Sequence, residues 1–103
     1  MAKIIGRNAN TTDTATIDIG ITLNTSTSVK VGDSNDDRIH FEISNDGPGK
    51  VFLKLQAASI DNLKKGIIIQ SGQTWWMPTD NIYTGEISAI AKTGSPVVYP
   101  TEY

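Results

Sequence analysis

Cysteine is absent from this chain of 103 residues, and histidine occurs once, at His40. Without cysteine, neither a disulfide framework nor thiol chemistry is available. Gly32-Asp33-Ser34 is similar to the serine motif of one esterase family, but that chemistry needs a base beside the serine and an acid that orients the base. Because the only histidine is predicted on a strand face six residues later, we interpret the motif as a turn. We expect no catalytic residue and no cofactor.

Long apolar runs and clusters of positive charge are also scarce. No run reaches the roughly 18 residues that a membrane span requires. The net charge is −2, with nine basic and 11 acidic residues. The chain therefore lacks the field of Lys and Arg that binding to a duplex requires. Lys64-Lys65 is the only basic doublet, and a solvated turn explains it. We expect neither a nucleic-acid partner nor a membrane.

Leucine is rare as well, with four residues, against 14 isoleucines, 12 threonines and five valines. β-Branched side chains are stiff at χ1 and suit a pleated, half-buried surface. The low leucine content argues against several core helices. A chain of this length forms one domain with one core. The composition therefore predicts a single all-β domain.

The clearest alternation runs from Arg38 to Gln56. Odd-numbered apolar residues alternate with polar ones over residues 38–44 and again over 50–56, with one exception at Phe52. Successive side chains of a strand point to opposite faces, so each run predicts one buried and one wet face. The segment Asn45-Asp46-Gly47-Pro48-Gly49 between them consists of turn-forming residues. We predict that the two strands form an antiparallel hairpin, with His40 on its wet face beside Glu42.

The remaining segments continue the same pattern. Residues 6–13 are polar and aperiodic, and they form either part of a flexible arm or a loop after a short strand at Lys3 to Ile5. We predict that residues 1–13 form a flexible arm and residues 14–103 the β-domain. Residues 57–66 are compatible with one or two helical turns or with an irregular loop. Short apolar segments recur every 8–12 residues between Gly, Pro, Asn and Asp. Together they predict a compact β-sandwich or small barrel of seven to nine short antiparallel strands.

The turn after residue 32 contains Asp33-x-Asn35-x-Asp37, the first three ligand spacings of a calcium loop. Such a loop also needs Gly at its sixth position and a bidentate carboxylate at its twelfth. Arg38 and Ser44 occupy those positions here. We interpret the segment as an acidic, solvated turn and predict no metal ligand, with a weak cation site as the alternative.

Four aromatic residues are candidates for binding a partner: Trp75, Trp76, Phe52 and Tyr83. Adjacent residues of a strand face opposite ways, so at most one of the two tryptophans enters the core easily. The other is covered by a loop, contacts a partner protein as tryptophans at hot spots do, or forms a platform on which a sugar stacks. By parity Phe52 lies on the wet face, either facing a partner or lying under a loop. Tyr83, with Tyr99 and Tyr103, extends the same surface.

Several motifs resemble those of small virion structural proteins of tailed bacteriophages. The quoted stretches are Arg38-x-x-Phe41-x-Ile43-x-Asn45, Val51-Phe52-Leu53, Gly66-Ile67-x-Ile69-x-x-Gly72-Gln73 and Tyr83-Thr84-Gly85-Glu86-Ile87-Ser88-Ala89-Ile90. The resemblance covers residues 38–103, and Ser71 stands where a proline is more usual. These proteins are β-sandwiches or barrels that decorate heads, cement capsomers or form tail and fibre parts. The resemblance implies a rigid, non-enzymatic module that is made in the bacterial host and resides in the virion.

From this resemblance we expect a capsid decoration or cement protein that forms a homo-oligomer, such as a trimer, and binds the capsid or other virion proteins. The predicted arm and the four aromatic residues would make the contacts. The alternative is a receptor- or carbohydrate-binding module of a tail or fibre, with one tryptophan and a tyrosine on an exposed platform.

Overall fold

A computed structural model describes residues 16–17 and 20–102. Within them lie nine antiparallel strands and no helix, which confirms the predicted all-β class. The strands are β1 (Thr16–Ile17), β2 (Ile21–Thr22), β3 (Val29–Gly32), β4 (Phe41–Asn45), β5 (Val51–Lys54), β6 (Ile67–Ile69), β7 (Thr74–Trp76), β8 (Ile87–Ala91) and β9 (Val97–Glu102). The predicted arm, residues 1–13, and Tyr103 lie outside the described residues. No helix capable of crossing a membrane occurs in the described part.

The strands form two sheets that pack as a sandwich. Sheet A has the order β1-β9-β4-β7, and β2 pairs with β9 further along the same edge as β1. Sheet B has the order β3-β8-β5-β6. Pro100 lies between the part of β9 that pairs with β1 and the part that pairs with β2. Because proline has no N–H to donate, an interruption of the ladder at this point is expected.

The core lies between the inner faces of the two sheets, and alternation along each strand supplies it. Its fully buried members are mostly β-branched or aromatic: Val31, Phe41, Ile43, Val51, Ile69, Ile87 and Val98, together with Leu23, Leu53, Met77, Ala89 and Ala91. Full burial of one Ile or Phe side chain contributes roughly 1.5–3 kcal/mol to stability. This cluster is therefore the main source of stability for a chain of this size.

The hairpin predicted from residues 38–56 is wrong. β4 and β5 do form, but β4 pairs with β7 and β9 in sheet A, whereas β5 pairs with β6 and β8 in sheet B. The turn-forming segment 46–50 thus carries the chain from one sheet to the other. Alternation fixes which side chains are buried, but it does not choose the hydrogen-bonding partner of a strand.

Asn45 explains why the chain changes sheets at this point. Its side chain is buried, and its amide Nδ2 donates to the carbonyl oxygens of Gly49 and Ile69, each at 2.9 Å. Its Oδ1 accepts the backbone N–H of Gly47 at 2.8 Å. One side chain at the end of β4 therefore satisfies three backbone groups of the crossing and of β6. Asn45 joins the two sheets at this end of the sandwich.

Candidate binding surfaces

The outer face of sheet A brings two of the exposed aromatic residues together. Across the three strands β7, β4 and β9, Trp76 lies beside Glu42, and Glu42 lies beside Thr101. The next outward row consists of Thr74, Ser44 and Tyr99. We call these six residues the aromatic face.

Parity decides the positions of the two tryptophans. Trp75 is in register with the buried Ile43 and packs against the core, whereas Trp76 is 59% exposed. The sequence prediction that the two side chains face opposite ways is thus confirmed. Trp76 is the tryptophan that a ligand or a partner can reach.

A hydrogen-bonded carboxylate orients the exposed indole. Trp76 Nε1 donates to Glu42 Oε1 at 3.0 Å, and His40 Nε2 lies 2.8 Å from the same oxygen. His40 and Glu42 are both partly buried on this face, as the sequence predicted for the wet side of the strand. Because Glu42 is held from one side by His40, it fixes the direction of the Trp76 ring on the other.

Tyr99 is the exposed aromatic residue that the four-residue candidate set omitted. It is 37% exposed, and its ring lies against Gly20, where an added Cβ would be 2.9 Å from Tyr99 Cε1. The sequence indicated this position, because Tyr99 lies between the apolar Val98 and Pro100 and therefore points to the face opposite theirs. Its ring is positioned by the close approach that glycine allows.

Phe52 lies on the outer face of sheet B, as its parity predicts. Its register partners are Ile68 on β6 and Ile90 on β8. Ile68 is half exposed, whereas Ile90 is completely buried although it points away from the core cluster. Phe52 itself is partly buried. Phe52 therefore lies between a half-exposed and a buried isoleucine in an apolar row on this face.

The loop of residues 55–66 lies over the same face and contains no helix. It exposes Ile60, Leu63 and, at its start, Leu55. We call Ile60, Leu63 and Ile68 the aliphatic patch; each has more than half of its surface exposed. Ile68 points outward on β6, and Ile60 and Leu63 belong to the loop over the same face. Several large exposed apolar side chains on one side of a domain are typical of interaction sites.

Lys54 anchors this loop from below. Its ammonium group donates to Asp61 Oδ1 at 2.8 Å and to the Leu63 carbonyl at 3.0 Å, and the side chain is almost fully buried. The hydrogen bond from Lys54, helped by those from the Leu63 backbone N–H and from Gln56, lowers the pKa of Asp61 from 3.8 to about 2. The sequence placed Lys54 on a wet face. The structure corrects this, because the loop covers that face.

Further hydrogen bonds hold the loop to Ser28, the residue before β3, and to β8. Ser28 Oγ donates to the Asp61 carbonyl, and the Ser28 backbone N–H donates to Asn62 Oδ1, each at 2.8 Å. Ser88 Oγ on β8 donates to the Gln56 carbonyl at 3.0 Å. The loop is therefore hydrogen-bonded to β5, to β8 and to the residue before β3, and these bonds hold the backbone that carries Ile60 and Leu63.

The acidic turn at residues 33–37 is organised by an arginine. Arg38 is buried, against the expectation of a wet-face residue. It donates to the carbonyls of Asp33 and Tyr83 at 2.6 Å and to Glu102 Oε2 at 3.0 Å. A guanidinium at the centre of the turn opposes a second cation there. Within residues 20–102, no group of three His, Asp or Glu side chains is arranged to hold a metal ion.

Tyr83 does not join either outer surface. Its side chain is partly buried against the core, and its carbonyl is one of the Arg38 acceptors. The four predicted residues are thus separated: Trp76 lies on the outer face of sheet A, Phe52 on that of sheet B, and Trp75 and Tyr83 pack on the core.

In comparisons with known proteins, no family model, curated protein or solved structure matches this chain.

Proposed function

We propose that this chain is a non-enzymatic structural protein of a tailed-bacteriophage particle, and that it forms homo-oligomers and binds the head surface as a decoration or cement protein. The sequence resemblance over residues 38–103 supports the class of protein. It spans every strand from β4 to β9.

The aliphatic patch is the observation on which the attachment role rests. Ile60, Leu63 and Ile68 stay exposed although the loop beneath them is tied down by Lys54 and Ser28. A loop without such hydrogen bonds to the strands could rearrange and bury these side chains at a small cost in free energy. An anchored loop that keeps them outward offers a partner an apolar contact at a small loss of conformational entropy on binding.

The polar interior is consistent with a scaffold role. Every buried side-chain nitrogen and oxygen in the described part has a hydrogen-bond partner. Arg38 and Lys54, the two buried basic side chains among the described residues, both donate to carboxylate and carbonyl groups. These groups stabilise the sandwich and leave the binding role to its exposed surfaces.

Co-sedimentation with particles of the encoding phage that lack the chain tests the proposal. Wild-type protein should pellet with the particles and behave as an oligomer in light scattering. The variant Ile60→Ser/Leu63→Ser/Ile68→Thr should lose at least about tenfold in affinity, since a central apolar contact is worth more than about 1.4 kcal/mol.

Ile39→Thr is the control, because Ile39 is also half exposed but precedes β4, a strand of sheet A, whereas the aliphatic patch belongs to sheet B and its loop. It should bind as the wild type does. A strictly monomeric wild-type chain that does not pellet with the particles would refute the proposal. Equal loss of binding in the control would refute the role of the aliphatic patch.

A further inference from the structure

The aromatic face presents two exposed rings on a polar floor. Trp76 and Tyr99 are separated by β4, which contributes Glu42 and Ser44 between them. Two strand spacings of about 4.8 Å and two residues along the strand place their Cα atoms roughly 12 Å apart. An extended ligand can therefore lie across β4 and contact both rings at once.

Both rings have defined positions before any ligand binds. The Trp76 indole is tied to Glu42 at 3.0 Å, and Glu42 is itself paired with His40 at 2.8 Å. The Tyr99 ring lies over Gly20, a residue with φ of 106° that leaves no room for a side chain below the ring. Binding then costs little side-chain entropy, which is the advantage of a preorganised site.

The floor between the rings consists of hydroxyl and carboxylate groups. Ser44 Oγ and Thr74 Oγ1 are hydrogen-bonded to each other at 2.7 Å. Each hydroxyl can still form a further hydrogen bond with a ligand. Thr101 completes the row that contains Glu42 and Trp76. A protein hot spot is usually a fully desolvated pocket surrounded by contacts that exclude water. This floor instead suits a ligand that carries many hydroxyl groups.

The charge of the face narrows the class of ligand. Among the outward residues of β2, β4, β7 and β9 that the structure describes, none is Lys or Arg. The one carboxylate, Glu42, is paired with His40. An anionic polymer would find no Lys or Arg here to pair with its charges, whereas a neutral ligand needs no such partner.

We propose that the aromatic face binds a neutral oligosaccharide. The apolar C–H faces of two sugar rings would stack on Trp76 and Tyr99, and hydroxyls of the intervening sugar would hydrogen-bond with Ser44, Thr101 and Glu42. This binding activity is independent of the attachment role of the aliphatic patch, which lies on the other sheet. It corresponds to the carbohydrate-binding alternative that the sequence left open.

Titration calorimetry of the full chain tests the proposal, using cellohexaose, maltohexaose, mannohexaose and the hexamer of N-acetylglucosamine, with heparin as the anionic comparison. At least one neutral hexasaccharide should bind, and heparin should not. Trp76→Ala and Tyr99→Ala should each weaken that binding at least about tenfold, as expected when a stacked aromatic ring is removed. Tyr99→Phe keeps the ring and should lose less than Tyr99→Ala.

Two further variants separate ring position from charge. Glu42→Gln keeps an oxygen that can accept from Trp76 Nε1 and should retain binding within a few-fold, whereas Glu42→Ala should lose most of it. In ¹⁵N spectra, sugar should shift the indole signal of Trp76 more than that of the core-packed Trp75. Ile68→Thr, on the opposite sheet, should bind sugar as the wild type does.

Three results would overturn the proposal: no binding of any of the four neutral hexasaccharides at millimolar concentration, binding of heparin alone, or sugar binding that Trp76→Ala leaves unchanged. Attachment of the chain to phage particles through Trp76, without sugar binding, would also overturn it and would assign this face to a protein. Failure of particle attachment with intact sugar binding would instead refute only the proposed structural role.

Discussion

Arg38 Nε donates to Glu102 Oε2 at 3.0 Å and thereby joins the loop before β4 to the last residue of β9. The Arg38 side chain is fully buried, and Asn35 Nδ2 donates to the same carboxylate oxygen at 2.7 Å. The Arg38 guanidinium also lies 5.4 Å from the centre of the Phe41 ring. The acidic turn, the segment around Tyr83 and the end of β9 are thus held together by Arg38.

Replacing Arg38 by Met should therefore lower the free energy of unfolding by about 3–5 kcal/mol, since removal of one partner leaves a partly buried carboxylate and several carbonyls without donors. Urea denaturation followed by circular dichroism measures this loss. Arg38→Lys should also destabilise the chain, because one ammonium cannot reach all the acceptors of the guanidinium fork. A variant Arg38→Met as stable as the wild type would contradict this role.

Asn45→Ala should destabilise the sandwich by about 2–3 kcal/mol, because the buried backbone groups of Gly47, Gly49 and Ile69 lose their partner. The denaturation midpoint in urea measures the change. Ser44→Ala, one residue earlier, removes an outward hydroxyl and serves as the control, with an expected loss below about 1 kcal/mol. Equal losses in the two variants would show that Asn45 has no special role in the crossing.

The Lys54–Asp61 pair predicts a dependence of stability on pH. The pKa of Asp61 is lowered from 3.8 to about 2, so its ionised form is favoured in the folded chain. The stabilisation is complete above the unfolded value and is lost as the pH falls through 3.8 towards 2. The difference in urea midpoint between wild type and Asp61→Asn should accordingly be constant above about pH 5 and shrink between about pH 4 and 2. A difference that does not change over this range would contradict the pairing.

Glu42→Ala should release the Trp76 ring without unfolding the chain. The variant loses two partly exposed hydrogen bonds, those to Trp76 and His40, and each loss should cost about 0.5–1.5 kcal/mol. The indole N–H signal of Trp76 should move towards the position typical of a solvated indole, and that of Trp75 should stay. Glu42→Gln should keep the Trp76 signal close to its wild-type position. Identical spectra for wild type and Glu42→Ala would show that Glu42 does not orient the ring.

Alternation in the sequence was sufficient to predict the class of fold and the sidedness of most strands. It predicted that Trp75 and Trp76 face opposite ways, that Phe52 lies on an outer face and that His40 lies beside Glu42. In each case the prediction depends only on the period of a strand and on the residue types along it. These features are local, and the folded chain preserves them.

The sequence could not predict features that depend on distant partners. The segment 46–50 has the residues of a hairpin turn, yet Asn45 bonds to Ile69 and the chain changes sheets. Arg38 and Lys54 alternate as wet-face residues, but the distant segment around Tyr83 provides acceptors for Arg38, and the loop that directly follows β5 covers Lys54 and provides its acceptors. Ile39 differs from its prediction in the opposite direction. It has the parity of a core residue, but it is half exposed because it precedes β4. The two surfaces could therefore be located only from the structure.

Amide hydrogen exchange tests the central proposal, that the chain works through contacts on the outer faces of a rigid sandwich. It is measured on the free chain and on the chain bound to particles of the phage that we propose encodes it. The account predicts slower exchange in bound protein over residues 57–68, which include the anchored loop and β6, and unchanged exchange in the core strands β4 and β8. Protection confined to segments that contribute nothing to the aliphatic patch or the aromatic face, or a general loosening of the core strands on binding, would contradict it.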